Sequence, residues 1–495
     1  MKKPQLRSTN SILDDLNDEE GSDLISTPTG RMTRSAALRR AHGIARRLER
    51  AGLDNGDRVA ILCQSPAEAT IAFLATLMTP YCAVPLHPMA PQAAIGQILQ
   101  SSSAKAVIAD RDGLLERPAA TDIIMIGTAE DVPDDTGSEF RVAPQDSDDI
   151  AALLYTSGTT GAPKAVMITL GNLQSMAEEL VVDFFRVDRS DTLLMAAPIS
   201  NIYGVSLIAV ALRARATLSI PAAPRPDAIL EAIERDQVTF LAGIPMIGRM
   251  LLGAVGKSDH RPQSLRRVLL AGTKLDPALA DTFAATFGCE VMTGYAMTEA
   301  VPLAMALDRT AFRGGYVGQI AQGIEARIVN EAMVPVAPGE PGEILVRGPV
   351  VTPGYWMNED ANTQAFHEGW FRTGDIGRLD DNGHLELIDR AKEIIKTAGH
   401  TVYPSEVEAV LAAHPAVGEA AVVGAPHEGL DEVVVAYFTR RGPNEADLSE
   451  LRSWCKERLI SWKLPRKLVA IDVMPMTATG KIAKAQLSGA AQGTS

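Results

Sequence analysis

The chain carries an alternation that few architectures can absorb. Short, continuous apolar runs ("DRVAILC", "YCAVPL", "KAVIAD", "DIIMIG") are separated by helical patterns and turn signals, and the rhythm resumes at "DTLLMAAP", "ATLSIP", "VTFLAG" and "RRVLLAG". Strands without polar alternation are buried on both faces, and strands that alternate with helices build a mostly parallel sheet with helices on either side. The intervening helices have clear signals. "TRSAALRRAHGIARRLERAG" sets Leu38, Ala41, Ala45 and Leu48 at helical spacing before Gly52. "SPAEATIAFLATLM" opens with Ser65 as cap, Pro66 in the first turn and Glu68 closing a capping box. From Phe312 the texture changes to short strands rich in Gly and Pro, as in a small β-rich subdomain. A compact α+β section follows, with helices expected in "PSEVEAVLAAH" and "DLSELRSWCKERLI" and strands in "GEAAVVGA" and "EVVVAYF". At 495 residues the chain exceeds what one core organises, so more than one domain is expected.

Charge and cysteine usage exclude several function classes. A net charge of −14 opposes nucleic-acid binding, which needs a basic face to displace counterions. Cys63, Cys82, Cys289 and Cys455 are far apart with no paired spacing, so buried, reduced thiols and a cytoplasmic setting are expected. No run supplies the ~20 apolar residues of a membrane span. The N-terminal stretch has no apolar core of a secretory signal. Its acid-rich "DDLNDEEGSD" reads as a flexible, solvated tail over residues 1–24.

The most unusual segment is "LLYTSGTTGAPKAVM", which begins and ends as a strand. Between the strands lie Thr156, Ser157, Gly158, Thr159, Thr160 and Gly161, followed by Lys164. Glycines let backbone N–H groups approach an anion, hydroxyls add donors and a lysine adds a point charge. A Walker A loop would require Gly, four residues, Gly-Lys and then Ser/Thr. Here Pro163 precedes Lys164 and Ala165 follows it, so this is a phosphate-binding loop of another kind.

Read in full, "YTSGTTGAPKAVMITLGNL" resembles the signature loop of the adenylate-forming superfamily, the group of acyl- and aryl-CoA synthetases, nonribosomal adenylation domains and luciferases. Four further segments resemble that family's motifs in order: "TGYAMTEA", "GWFRTGDIG", "DRAKEIIKTAGHTVYPSEVE" and "PMTATGKI". The resemblance runs over roughly residues 30–487. It implies an α/β fold with a large N-terminal domain of stacked, mostly parallel sheets plus a small β-rich subdomain (residues 25–391). A smaller, mobile α+β C-terminal domain (392–495) would carry the catalytic lysine. It also implies ATP, Mg2+ and CoA as cofactors and co-substrates.

Site roles follow residue by residue from the same resemblance. Lys481 is the candidate that bridges the substrate carboxylate and the α-phosphate, a step that needs positive charge and positioning more than covalent help. Glu299 is the metal ligand, an oxygen donor suited to a hard cation, and Thr298 lies beside it on phosphate. The loop Thr156–Gly161 and Lys164 grip the phosphates. Gly272, Thr273, Gly294 and Tyr295 belong to the nucleotide site, and Asp375 and Arg390 hold the ribose. Lys392 is the hinge, and Gly399 and His400 line the thiol's route. The acid pocket is expected from Asn201, Ile202, Tyr203, Val205, Ala271, Gly272 and Ala296.

The sequence departs from the family pattern at Ala165, Leu170, Asn201 and Ala296, the last two at the acid pocket. None of these touches Lys164, Glu299, Asp375, Arg390 or Lys481. The expected activity is therefore a carboxylic acid–CoA ligase that makes acyl-AMP and pyrophosphate and then transfers the acyl group to the CoA thiol. One alternative is an enzyme that loads an acyl carrier protein. Its amino-acid-activating form is disfavoured because Ile202 stands where an aspartate would meet the substrate ammonium, and a buried ammonium without a counter-ion is costly. A non-catalytic binding relative is a further alternative. The mostly neutral pocket favours an apolar or aromatic acid over a dicarboxylate; the oligomeric state is left open.

Overall fold

A computed structural model describes residues 12–17, 21–111, 114, 123–128, 142–156, 163–257, 260, 262–306, 315–427, 429–442, 447–476 and 482–492. The chain divides into two compact units, Met1–Glu325 with Val346–Phe371, and Ala326–Leu345 with Arg372–Ser495.

The first unit contains the expected strand–helix alternation as two sheets. One has six strands in the order Ile124–Gly127, Ala104–Ala109, Arg58–Leu62, Cys82–Pro85, Ile150–Thr156 and Lys164–Thr169, parallel except for the last pair. Its side chains Leu62, Val84, Val107 and Leu153 are fully or almost fully buried, as unbroken apolar runs require. In the second sheet, Thr192–Leu194, Phe240–Gly243, Arg267–Leu270 and the start of Glu290–Met297 run parallel. The strand Ala300–Ala306 then returns antiparallel. Helices cover the sheets, and their caps follow the sequence. Ser65 accepts from the Glu68 N–H ahead of Pro66–Leu77, and Thr169 with Asn172 forms a capping box for Leu170–Glu179.

Residues 12–17 of the expected solvated tail are packed against the protein, whereas residues 1–11 and 18–20 lie outside the described residues. Ile12 and Leu16 are 1% and 0% exposed, and Asp15 meets the Arg213 guanidinium at 3.5 Å. Burial outweighs that partner and lifts the Asp15 pKa to about 6. Acid density masked two apolar side chains, Ile12 and Leu16, in and just before the short 3-10 turn Asp14–Asn17.

The second unit carries its own core, with Ile395, Val402, Val407, Leu411, Val422 and Phe438 fully buried. Its main sheet orders His400–Val402, Ile395–Thr397, Asp431–Arg440 and Val417–His427, with Lys467–Ala470 added parallel to Asp431–Arg440. The helices Pro404–Ala412 and Leu448–Arg458 fall where the sequence placed them. All four cysteines are buried, and none is in a disulfide. Among the described residues no helix is long and apolar enough to cross a membrane.

Candidate active site

The unusual loop springs from a closed hairpin. Strands Ile150–Thr156 and Lys164–Thr169 pair antiparallel down to the register Thr156↔Lys164, where the Thr156 hydroxyl donates to the Lys164 carbonyl at 3.4 Å. Thr156 and Lys164 are thus fixed at the base of the loop, while Ser157, Gly158, Thr159, Thr160 and Gly161 lie outside the described residues. So does Lys481.

Glu299 sits in the turn between Glu290–Met297 and Ala300–Ala306, next to Thr298. The ladder there shifts register between Tyr295 and Met297, leaving Ala296 exposed at the bulge. A bulge re-aims the residues that follow it, and Glu299 ends 9% exposed. The Tyr355 hydroxyl donates to Glu299 Oε1 at 2.8 Å, and the Lys164 ammonium lies 5.0 Å from the centroid of the same phenol ring. One aromatic side chain therefore joins two residues that the family resemblance implies for metal and phosphate.

The segment that carries Tyr355 is laced to both partners. Met167 N–H donates to the Gly354 carbonyl at 3.0 Å and Trp356 N–H to the Ala165 carbonyl at 2.9 Å. On the other side, Thr352 N–H donates to the Glu299 carbonyl at 2.8 Å. Asn362 grips the tyrosine backbone, accepting from Tyr355 N–H at 2.7 Å and donating to its carbonyl at 3.0 Å. Gly354 makes room for this amide, since a Cβ there would lie 2.6 Å from Asn362 Oδ1. Sequence reading missed Tyr355, Thr352 and Asn362; the only local signal was the turn-forming Pro353-Gly354 ahead of two aromatics.

Of the acid-pocket candidates, Ala271 and Gly272 stand at the carboxyl end of a parallel strand, where α/β sheets place ligands. Ala271, Gly272 and Thr273 follow Arg267–Leu270 directly. Gly272 takes a left-handed φ of +87°, and a Cβ there would stand 3.4 Å from Ile244 Cγ2 and 3.9 Å from the Tyr203 hydroxyl. Tyr203 comes from the start of helix Ile202–Ala214, whose cap is Asn201, accepting from Tyr203 N–H at 2.9 Å. Burial lifts the Tyr203 pKa to about 12, so its phenol stays neutral. Val205 is fully buried in the same helix. Tyr295 is 7% exposed in the adjoining strand, where Gly294 pairs with Met305.

In the second unit Asp375 and Arg390 are register partners across antiparallel strands. The Arg390 Nε donates to Asp375 Oδ1 at 2.7 Å, and the Thr373 hydroxyl accepts from Asp375 N–H at 3.1 Å. Lys392 lies in the 3-10 turn Ala391–Glu393. Lys484 bridges two carboxylates here, Glu393 Oε2 at 2.9 Å and Glu408 Oε1 at 2.8 Å, a network that carried no local sequence signal. Ala398 and Gly399, both left-handed (φ +50° and +77°), turn the chain into His400, whose ring stacks on Trp462 at 4.2 Å. Beside this turn is a cavity of about 310 Å³ whose lining includes Ala398, Trp462, Arg452, Lys456 and Arg466.

Glu299 fits a magnesium ion in one particular way. Among the described residues no group of three or more His, Cys, Asp or Glu side chains is placed to hold a metal. Mg2+ is typically held by one or two carboxylates together with substrate phosphates and water. A single buried carboxylate beside a phosphate-loop lysine matches that arrangement.

Comparison with known proteins shows the family. The AMP-binding enzyme family matches residues 19–356, and the AMP-binding enzyme C-terminal domain matches residues 406–481. A feruloyl-CoA synthase from Amycolatopsis sp is 31% identical over 469 residues, 92% of this chain and 93% of that protein. A 2-succinylbenzoate–CoA ligase from Bacillus velezensis is 33% identical over 440 residues, 88% of each chain. Among solved structures, ATP-bound MatB from Rhodopseudomonas palustris superposes with a TM-score of 0.86 at 28% identity, covering 97% of this chain and 99% of that one. The o-succinylbenzoate CoA synthetase MenE from Bacillus subtilis, in complex with ATP and magnesium ion, gives 0.82 at 28% identity and covers 96% and 98%.

Proposed function

Because the chain belongs to the AMP-binding enzyme family, we propose that it is an AMP-forming carboxylic acid–CoA ligase using ATP, Mg2+ and CoA. The observation that carries this reading is the junction of Lys164, Tyr355 and Glu299, which sets a phosphate-binding cation and a metal-binding carboxylate on one buried ring. In the first half-reaction a substrate carboxylate oxygen attacks the α-phosphorus of ATP and pyrophosphate leaves. Both reactants are anions, so positive charge and orientation supply most of the catalysis. The hairpin loop with Lys164 holds the departing β- and γ-phosphates. Thr298 binds phosphate, and Glu299 would hold Mg2+, which when bound would screen phosphate charge. Tyr295 lies against adenine beside Gly272, Thr273 and Gly294, Asp375 and Arg390 take the ribose, and Lys481 bridges carboxylate and α-phosphate.

In the second half-reaction the CoA thiolate adds to the acyl carbonyl and AMP departs. Lys392 is the pivot about which residues 392–495 turn between the steps, and Gly399 and His400 border the thiol's route. The basic side chains Arg452, Lys456 and Arg466 around the neighbouring cavity suit the phosphates of CoA.

The substrate is an apolar or aromatic acid. Tyr203, Ile202, Ala271 and Ala296 offer no charge to a second carboxylate; the relatives are named for an aromatic acid and for dicarboxylic acids alike, so the neutral lining alone carries this reading. Glu299→Gln tests the reading. Acid-dependent ATP–pyrophosphate exchange should be lost in this variant and present in the parent. Equal exchange in both contradicts the assignment of Glu299, and turnover of dicarboxylic acids alone contradicts the substrate class.

A further inference from the structure

Tyr355 lies outside every motif that pointed to the chemistry, yet it touches two residues that those motifs named. Its hydroxyl hydrogen-bonds Glu299 across 56 positions of sequence, and its ring face lies under the Lys164 ammonium. The residue is 7% exposed and is clamped through its own backbone by Asn362. We propose that Tyr355 is a positioning residue for adenylate formation: its hydroxyl fixes the Glu299 carboxylate for the metal while its ring fixes the Lys164 ammonium for the phosphates. The inference rests on the ligase reading above.

Two physical points support it. A hydrogen bond to one carboxylate oxygen fixes the side-chain rotamer and directs the second oxygen toward a cation, the usual role of an outer partner at a metal site. An ammonium over an aromatic face gains electrostatic stabilisation without surrendering its charge to a carboxylate. Phenylalanine would keep the ring and lose the donor, whereas leucine would lose both, so the two functions are separable.

Mn2+ binding in the presence of ATP, followed by electron paramagnetic resonance without any acid, tests the first function. Tyr355→Phe should weaken Mn2+ binding by about 10–100-fold and raise the Mg2+ needed for half-maximal rate, with the KM of the acid unchanged. ATP affinity measured without metal tests the second. It should be preserved in Tyr355→Phe and fall by about 3–30-fold in Tyr355→Leu, the loss of one partly desolvated cation–π contact. Thermal midpoints of both variants report folding separately. Parental Mn2+ affinity in folded Tyr355→Phe overturns the proposal, as does unchanged ATP affinity in folded Tyr355→Leu. A parent that binds neither ATP nor Mn2+ with ATP overturns the ligase reading itself, a result distinct from a difference between parent and variant.

Discussion

Asp375 and Arg390 face each other across an antiparallel strand pair, with the Arg390 Nε 2.7 Å from Asp375 Oδ1. The aspartate side chain is 8% exposed, whereas the arginine side chain is 44% exposed. The buried acid thus keeps a fixed orientation and its arginine reaches solvent. An ionised carboxylate has about four acceptor sites, enough for the arginine and for both hydroxyls of a ribose. Asp375→Ala should lower kcat/KM for ATP by about 10–100-fold, the worth of lost charge-assisted hydrogen bonds, and leave the KM of the acid unchanged. Arg390, being solvated, tolerates the loss, so the variant should fold. Steady-state kinetics with ATP and acid varied separately checks this.

Gly272 is constrained by backbone more than by space. At φ +87° a side chain is strained, although a Cβ would make only ordinary contacts with Ile244 and the Tyr203 hydroxyl. Gly272→Ala should cost about 1–2 kcal/mol of stability and reduce turnover of bulky acids more than that of small ones. Urea unfolding and a series of acids of increasing size provide the two readouts. A variant equally active on every acid would remove Gly272 from the pocket wall.

Glu179 makes stability depend on pH. Its Oε2 is buried without a hydrogen-bond partner, and burial, then Asp183, then Glu178, lift its pKa from 4.5 to about 7. A carboxyl whose folded pKa is raised contributes stability that is fully present below pH 4.5 and is lost as pH rises through about 7. Glu179→Gln should therefore flatten the profile, recovering about 1–3 kcal/mol at pH 8 relative to pH 4. Urea midpoints at the two pH values measure it. An unchanged pH dependence would contradict the assignment.

Lys484 holds Glu393 and Glu408 together, with all three side chains less than one-third exposed. Removing the cation leaves two carboxylates without their shared partner. Lys484→Met should destabilise the second unit by about 2–3 kcal/mol, less than the ~3–5 of a fully buried pair. Adding Glu408→Gln, which keeps an acceptor for the Val422 N–H, should recover part of that loss. Calorimetry of the single and double variants distinguishes this network from a decorative surface pair.

The sequence and the structure agree best where the signal is local. The strands flanking the Thr156–Lys164 loop, the Ser65 cap and the helices Pro404–Ala412 and Leu448–Arg458 each follow from a run of neighbours whose pattern satisfies a single rule. What escaped detection is non-local. Tyr355 meets Glu299 from 56 residues away, and Lys484 meets Glu408 from a separate helix. No periodicity or spacing encodes such pairings; they arise only when the sheets bring distant turns together. Residues 12–17 escaped for the opposite reason, since the charges around Ile12 and Leu16 obscured two apolar side chains that are buried.

The ligase account is tested most directly by mass spectrometry of the products formed from ATP, Mg2+, CoA and a panel of apolar, aromatic and dicarboxylic acids, with Lys481→Ala beside the parent. The account predicts acyl-CoA, AMP and pyrophosphate from an apolar or aromatic acid, with all three lost in the variant. Release of ADP in place of AMP, or acyl-CoA formed equally well without the Lys481 ammonium, would contradict it.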